Sequence, residues 1–407
     1  MAELPFPMFD CDNHYYEALD AFTRYLEPTY RKRAMQWVTL NGRQRLLVGE
    51  KINKFIPNPT FDPVAAPGVM DEYFRGRNPK SADPSKLFGE LEPIRPEYRN
   101  RDARLAVMDG QGVEAAIFLP TLGVGMEQAL IGDLPALTAA FRAFNRWLEE
   151  DWGFAYQERI FAAPYITLSD PAHAVSELQW ALEHDARFVV MVGGPVMTER
   201  GSRAPADPMF DGFWRLANDS GITVLYHGGE TAYTKYLGAW GESDVTEAFR
   251  ASAFRSLVSA DALQDTFASH LALGLFHRFP NLRTASIEAG AAWVFHLFEK
   301  LTKTFGQVPH LFPEDPRVTF KRHVWVSPFY EDELASLLRL LGQDHILMGS
   351  DFPHVEGLTE PRLYIKDLEN FNYTLEQCRA VMYDNGKYLS VRRPASSASA
   401  PDGPHSA

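Results

Sequence analysis

Residues 345–354 read HILMGSDFPH, a short apolar run that ends on Asp351 and is followed three residues later by a histidine. Runs of this kind, rich in β-branched or aromatic residues, recur along the chain. They are Pro7–Asp12, Val113–Leu119, Ile160–Ile166, Phe188–Val192, Ile222–His227, Leu282–Glu288, His323–Ser327 and His345–Asp351. Continuous apolar character suits parallel strands buried on both faces. Helical spacing of apolar residues marks the stretches between them: Thr138–Tyr156, Ala172–Glu183, Asp211–Asn218, Ala291–Phe305 and Asp332–Leu341. Ser169-Asp170-Pro171 supplies a cap and a proline near the first helical position. Eight strands alternating with helices predict an α/β chain folded as a (β/α)8 TIM barrel.

The alternation breaks once, after the first strand. Gln36–Leu40, the turn Asn41-Gly42 and Arg43–Val48 read as a β-hairpin with a type I′ turn. A stretch rich in proline and glycine follows from Phe55 and reads as a long ordered loop. Loops of this size are uncommon unless functional. The insertion, about residues 30–100, is expected to be a lid or a dimer arm. A second irregular stretch, Gly228–Val258, follows the fifth strand. Residues 1–390 are read as one barrel. The Ser/Ala/Pro-rich residues 391–407 are read as a disordered tail.

The 407 residues carry a net charge of −13, with 45% hydrophobic and 23% charged residues, an ordinary globular composition. An acidic chain repels phosphate backbones, which argues against a nucleic-acid partner. No apolar run reaches the roughly 20 residues of a membrane helix, and no secretory leader pattern opens the chain. The two cysteines, Cys11 and Cys378, rule out a disulfide framework or a Cys-rich zinc site and fit a cytoplasmic setting. Trp37, Phe55 and Phe74 in the insertion would need cover, so a homodimer is expected.

Asp12 and His14, two residues apart, share one face at the end of the first strand. His227 ends the fifth strand and Asp351 the eighth. All four fall where barrel enzymes place their active sites. Two imidazoles and two carboxylates suit one divalent metal, zinc or manganese first, with iron also compatible. Each residue also has a plainer reading. A histidine at a strand end is usually hydrogen-bonded structure, and Asp351 could cap a helix. Four together across three strands favour a shared metal.

The motifs DCDNHYYE (Asp10–Glu17), YHGG (Tyr226–Gly229), FPNLRTASIEAG (Phe279–Gly290) and GSDFPHVEG (Gly349–Gly357) resemble the amidohydrolase superfamily. The similarity is to its amidohydrolase-related ("amidohydrolase 2") branch. That branch includes aminocarboxymuconate semialdehyde decarboxylase and metal-dependent hydroxybenzoate decarboxylases. The resemblance spans the barrel and implies a metal held by Asp12, His14, His227 and Asp351. Asp12 replaces the first histidine of the superfamily's His-x-His. The fourth strand carries no lysine, which implies a mononuclear site. The sixth-strand histidine of many members falls at Ala289, beside Glu288. Either Glu288 takes over as acid or base, or His354 or His270 enters. Glu288 could instead cap the helix near Ala291 or pair with an arginine. Glu17 is expected to orient His14 or to start the next helix. The strand-end aromatics Tyr15, Tyr16, Tyr226, Trp293, Trp325 and Phe329 suit a planar substrate.

Two reactions fit the implied site. In a decarboxylase, the favoured reading, the metal chelates a small aromatic or unsaturated carboxylic acid, and Asp351 or Glu288 protonates carbon as CO2 leaves. In a hydrolase, a metal-activated water attacks an amide, ester, lactone or C–C bond. A non-catalytic binding barrel is the third alternative.

Overall fold

Seven of the eight expected runs form strands in the computed structural model, which describes residues 4–78, 83–242, 252–258, 261–329 and 332–395. The first barrel strand, Met8–Tyr15, is buried at every position and pairs in parallel with Val113–Pro120. That second strand pairs with Ile160–Ala162, the third. A parallel bridge between Tyr165 and Val190 carries the ladder to Phe188–Val192. Thr223–His227, Arg283–Ile287 and Val324–Val326 follow in order, all parallel.

The ring closes through the eighth run, which is extended backbone and not a regular strand. Val326 bridges Ile346, and Asn13 bridges Phe352. The Cys11 amide donates to the Met348 carbonyl at 3.0 Å, and the Asp351 amide to the Asp12 carbonyl at 2.8 Å. The third strand is shorter than its apolar run because Pro164 has no amide to give the ladder. The first strand carries a bulge, with three steps from Asp10 to Asn13 set against two from Ala116 to Phe118. Such bulges re-aim side chains beside active sites.

The helices fall where the spacing placed them, with shifted ends: Leu134–Asp151, Pro171–Glu183, Asp211–Ser220, Ala292–Gln307 and Leu334–Leu341. Asp170 caps its helix by accepting from the Ala172 and His173 amides. Arg101–Gln111, Asp261–Ala272 and Pro316–His323 are further helices that the sequence reading did not name. None of the described helices is long and apolar enough to cross a membrane.

The hairpin forms as expected, Met35–Leu40 against Arg43–Val48, with Asn41 and Gly42 both at positive φ as a type I′ turn requires. The stretch after it is more than a loop. Val64–Ala65 pairs with Leu91–Glu92, and Asp71–Phe74 is a helical turn. Of the aromatics expected to need cover, Trp37 is half-buried and donates to the Leu19 carbonyl, and Phe55 packs against Gly125. Phe74 alone stays exposed. Gly228–Val258 contains the helix Tyr233–Gly238; residues 243–251 lie outside the described residues. Cys11 and Cys378 are buried and free. Residues 391–395 lie along the chain's own surface: the Arg393 carbonyl accepts from Asn281, and the Ala395 amide donates to Asp219. The first five residues of the expected tail are thus held in place, and residues 396–407 lie outside the described residues.

Candidate active site

At the carboxyl ends of the strands, His14 Nε2 has four polar neighbours. Asp12 Oδ1 lies at 3.1 Å, His227 Nε2 at 3.3 Å, Asp351 Oδ1 at 3.4 Å and Glu288 Oε2 at 3.6 Å. Glu288 Oε2 is 2.9 Å from His227 Nε2. Gly349 permits the approach of the first and eighth runs, since a Cβ there would sit 2.6 Å from the Asp12 Cβ.

Two overlapping donor groups result. Asp12, His14, His227 and Glu288 form one; His14, Glu288, Asp351 and His354 form the other. Glu288, not Asp351, therefore completes the group with Asp12, His14 and His227. Donor separations of this size are those of atoms sharing one cation at bonds of about 2.0–2.2 Å. The Gly228 carbonyl, 2.5 Å from His227 Nδ1, can only accept, so Nδ1 carries the proton and Nε2 faces the cluster. Asp351 Oδ1 and His354 Nδ1 lie 2.6 Å apart, yet neither buried atom completes a hydrogen bond. Converging donors of nitrogen and oxygen type, two of them without a hydrogen bond, fit a divalent metal.

Electrostatics within the cluster are severe. Burial works against a proton on His227, but the carboxylates of Glu288 and Asp12 outweigh it and push the imidazole up to about 10. His14 is raised by the same opposition, burial against the Asp12 and Glu288 carboxylates. Burial would raise Glu288 too, but the facing His227 and His14 hold it below the usual carboxylate range. Asp351 is held well above that range, by burial first and then by Glu288, Glu356, Asp12 and Asp10. A bound cation reverses that direction, because it favours the charged carboxylate. Burial pushes His354 well below the ordinary imidazole value.

Glu288 and Asp351 both have left-handed backbone, φ +50° and +55°. Side chains other than glycine pay about 1–3 kcal/mol for such strained conformations, which cluster at functional sites. Neither residue is a helix cap. The helix that begins at Ala292 has Ala291 at its N-cap, whose amide donates to Asp332 Oδ2 at 2.7 Å, and turns, not a helix, follow Asp351.

The family model for amidohydrolases matches residues 10–387. The chain belongs to the amidohydrolase family. An amidohydrolase from Mycobacterium avium subsp. paratuberculosis K-10 is 40% identical, over 96% of this chain and 100% of that one, with a TM-score of 0.90. A 2,6-dihydroxybenzoate decarboxylase from Rhizobium shares the fold at 18% identity, over 83% of this chain and 98% of that one, with a TM-score of 0.55. So does a 5-carboxyvanillate decarboxylase from Novosphingobium aromaticivorans, solved with manganese and 4-hydroxy-3-methoxy-5-nitrobenzoic acid. It is 13% identical over 95% of this chain and 97% of that one, with a TM-score of 0.54.

In this amidohydrolase, a metal-dependent enzyme by its family, some expected residues stand elsewhere. His270 is buried behind the barrel, 2.8 Å from the Tyr226 hydroxyl, and does not replace the missing sixth-strand histidine. Glu17 does not orient His14. Its Oε1 accepts the amides of Thr121, Leu122 and Gly123 at 2.8–3.1 Å and fixes the turn after the second strand. His354 stacks on His14 at 4.0 Å, with Nε2 2.9 Å from Thr121 Oγ1. Of the strand-end aromatics, Tyr16 lines the main cavity and Phe329 a small one beside it.

Three residues were not singled out from the sequence. Asp10 binds the Ser350 amide at 2.9 Å and Asn13 Nδ2 at 2.9 Å, tying the first run to the eighth; burial pushes its carboxyl up to about 6. Arg104, fully buried, donates to Asn13 Oδ1 and to the His14 carbonyl. Glu356 lines both cavities, and burial, with the charge of Glu288, lifts it to about 7. Asp10 and Glu356 stand inside the quoted motifs, two residues from Asp12 and from His354. That spacing was the available signal.

The main cavity, about 490 Å³, opens over His14, His227 and Glu288. Its other walls come largely from the insertion, including Phe55, Phe61 and Val64.

Proposed function

We propose that this amidohydrolase is a carboxy-lyase acting on a small aromatic or unsaturated carboxylic acid. In this reading one divalent metal, zinc or manganese, is held by Asp12, His14 and His227, with Glu288 and Asp351 facing it. The observation that carries the reading is the wall chemistry of the cavity. Among the described residues that line it there is no lysine or arginine, and the acidic ones lie at the cluster end. A substrate carboxylate entering the metal-loaded chamber gives up part of its water and meets no lysine or arginine among the described residues. Decarboxylation discharges that group as neutral CO2, whereas hydrolysis of a neutral amide or ester would create a new charge there.

The metal, when bound, acts as a Lewis acid that anchors the carboxylate and stabilises charge developing as the C–C bond breaks. Asp351 would relay the proton that replaces CO2 on carbon, taking it up from solvent, since beside a bound cation its carboxylate rests ionised. His354 Nδ1 stands 2.6 Å from Asp351 without a completed hydrogen bond, close enough to exchange a proton with it, and Thr121 fixes the far side of the His354 ring. Glu288 keeps His14 and His227 turned inward. Tyr16 stacks on Phe61 at 4.5 Å and so joins barrel to insertion above the site. The insertion covers part of the cavity with apolar side chains.

The test is to load the enzyme with Mn²⁺ and offer ortho-hydroxylated aryl and unsaturated carboxylic acids. CO2 release with solvent hydrogen on the vacated carbon is expected. Solvent ¹⁸O entering product without CO2 would overturn the carboxy-lyase reading in favour of hydrolysis.

A further inference from the structure

The chamber is too large for a single-ring acid. An apolar cavity of about 150 Å³ is enough to hold benzene. The cavity here, about 490 Å³, is roughly three times that. One ring-sized share lies against the donor cluster, where His14, His227 and Glu288 form the wall. The rest is lined by side chains of the insertion, chiefly Phe55, Phe61, Pro63, Val64, Phe88 and Leu91.

The few polar groups in these walls are already engaged. The Asn58 side chain donates to the Pro63 carbonyl at 2.9 Å and accepts from Thr60 Oγ1 at 2.7 Å. The Tyr16 hydroxyl donates to the Pro353 carbonyl at 3.2 Å. Thr121 Oγ1 donates to the Tyr15 carbonyl at 2.8 Å. Among the described residues, these walls offer a charged or strongly polar substituent no spare side-chain partner, and where they cover it, burying it unpaired is costly.

We infer that the substrate carries an uncharged apolar tail of one to two rings' bulk, attached away from its carboxylate and seated beneath the insertion. The inference rests on the carboxy-lyase reading for the head group and on the chamber alone for the tail. The insertion is then the specificity element of the enzyme: the barrel handles the acid, and Phe55, Phe61, Pro63, Val64, Phe88 and Leu91 select what is attached to it.

The probes are 2-hydroxybenzoate and 2-hydroxy-4-phenylbenzoate, which share a head group and differ by one ring. Binding to the Mn²⁺-loaded full chain is measured by calorimetry, and CO2 release in parallel. The phenyl-bearing acid should bind about tenfold tighter or better, in line with burial of one ring's apolar surface. Val64→Phe and Leu91→Trp each fill part of the chamber and should cut that preference at least fivefold. Leu91 is half exposed, so its variant tests the idea even if the buried Val64 change impairs folding. A preference below threefold in the wild type overturns the inference, as does absence of binding by both acids or a preference that neither folded variant alters. If the phenyl acid is preferred and the variants abolish the preference, yet neither acid yields CO2, the tail chamber stands and the carboxy-lyase reading falls. Equal binding with CO2 released from both gives the reverse.

Discussion

The proton on His227 sets how the enzyme takes up its metal. Without metal, the Glu288 and Asp12 carboxylates overcome burial and hold that imidazole up to about 10. A cation needs Nε2 unprotonated, so metal binding must expel the proton. The sign follows directly: for this proton alone, affinity rises about tenfold per unit at every pH below about 10 and levels off above it. At pH 7 the gap of three units (10 − 7) leaves apparent affinity about 10³-fold below its value at pH 10, on the order of 4 kcal/mol. The same proton stabilises the metal-free fold below about pH 6.5, and that contribution is lost as pH rises through about 10. Glu288→Gln removes the carboxylate 2.9 Å from Nε2, the strongest charge acting on the ring. The variant's affinity should stop rising near neutrality. The assay is a competition titration of Mn²⁺ against a chromophoric chelator at half-unit steps from pH 6 to 9. Wild-type affinity that is flat across this range would refute the reasoning, as would an unchanged profile in Glu288→Gln.

Asp351→Asn keeps one oxygen toward the metal but cannot shuttle a proton; turnover should fall about 10²-fold or more with metal retained at least in part, read by steady-state kinetics and elemental analysis. His14→Ala and His227→Ala should each lose the metal, and the wild type should hold one per chain. His270→Phe orphans the buried Tyr226 hydroxyl and should cost about 1–3 kcal/mol in urea unfolding while the metal content stays at the wild-type value. Truncation after residue 395 should leave the melting temperature unchanged, whereas truncation after 390 removes the Arg393 and Ala395 contacts and should lower it. We propose a homodimer, although Phe74 is the only aromatic of the three cited for it that remains exposed; a monomeric mass by light scattering would reject it.

The barrel was legible because strands buried on both faces write themselves as uninterrupted apolar runs. Its exceptions have local causes. Pro164 ends the third strand early, and the eighth run gives its last residues to the turn that carries Asp351. Proline and glycine disguised the short ribbon at Val64–Ala65 as loop. In the site, Asp12, His14 and His227 could be placed because each ends a strand. Glu288 was visible at the end of the sixth strand, but the left-handed turn that aims it at His227 has no signature in residue type. Glu17 misled because a sequence suggests neighbours first, whereas its partners lie 104–106 residues away. His270 was a lone histidine on a helix, and only packing shows that the helix faces the back of Tyr226.

The left-handed backbones at 288 and 351 bear on anyone who would engineer this enzyme. A procedure that ranks substitutions by folding stability will favour glycine or asparagine at both positions, since each relieves backbone strain and removes a buried acid. Stabilising changes are commonly neutral or costly to function. Here the first two gains such a procedure would collect are the two carboxylates opposite the histidines. Thermostable libraries of this scaffold should hold positions 288 and 351 fixed and spend their diversity on the helices outside the barrel.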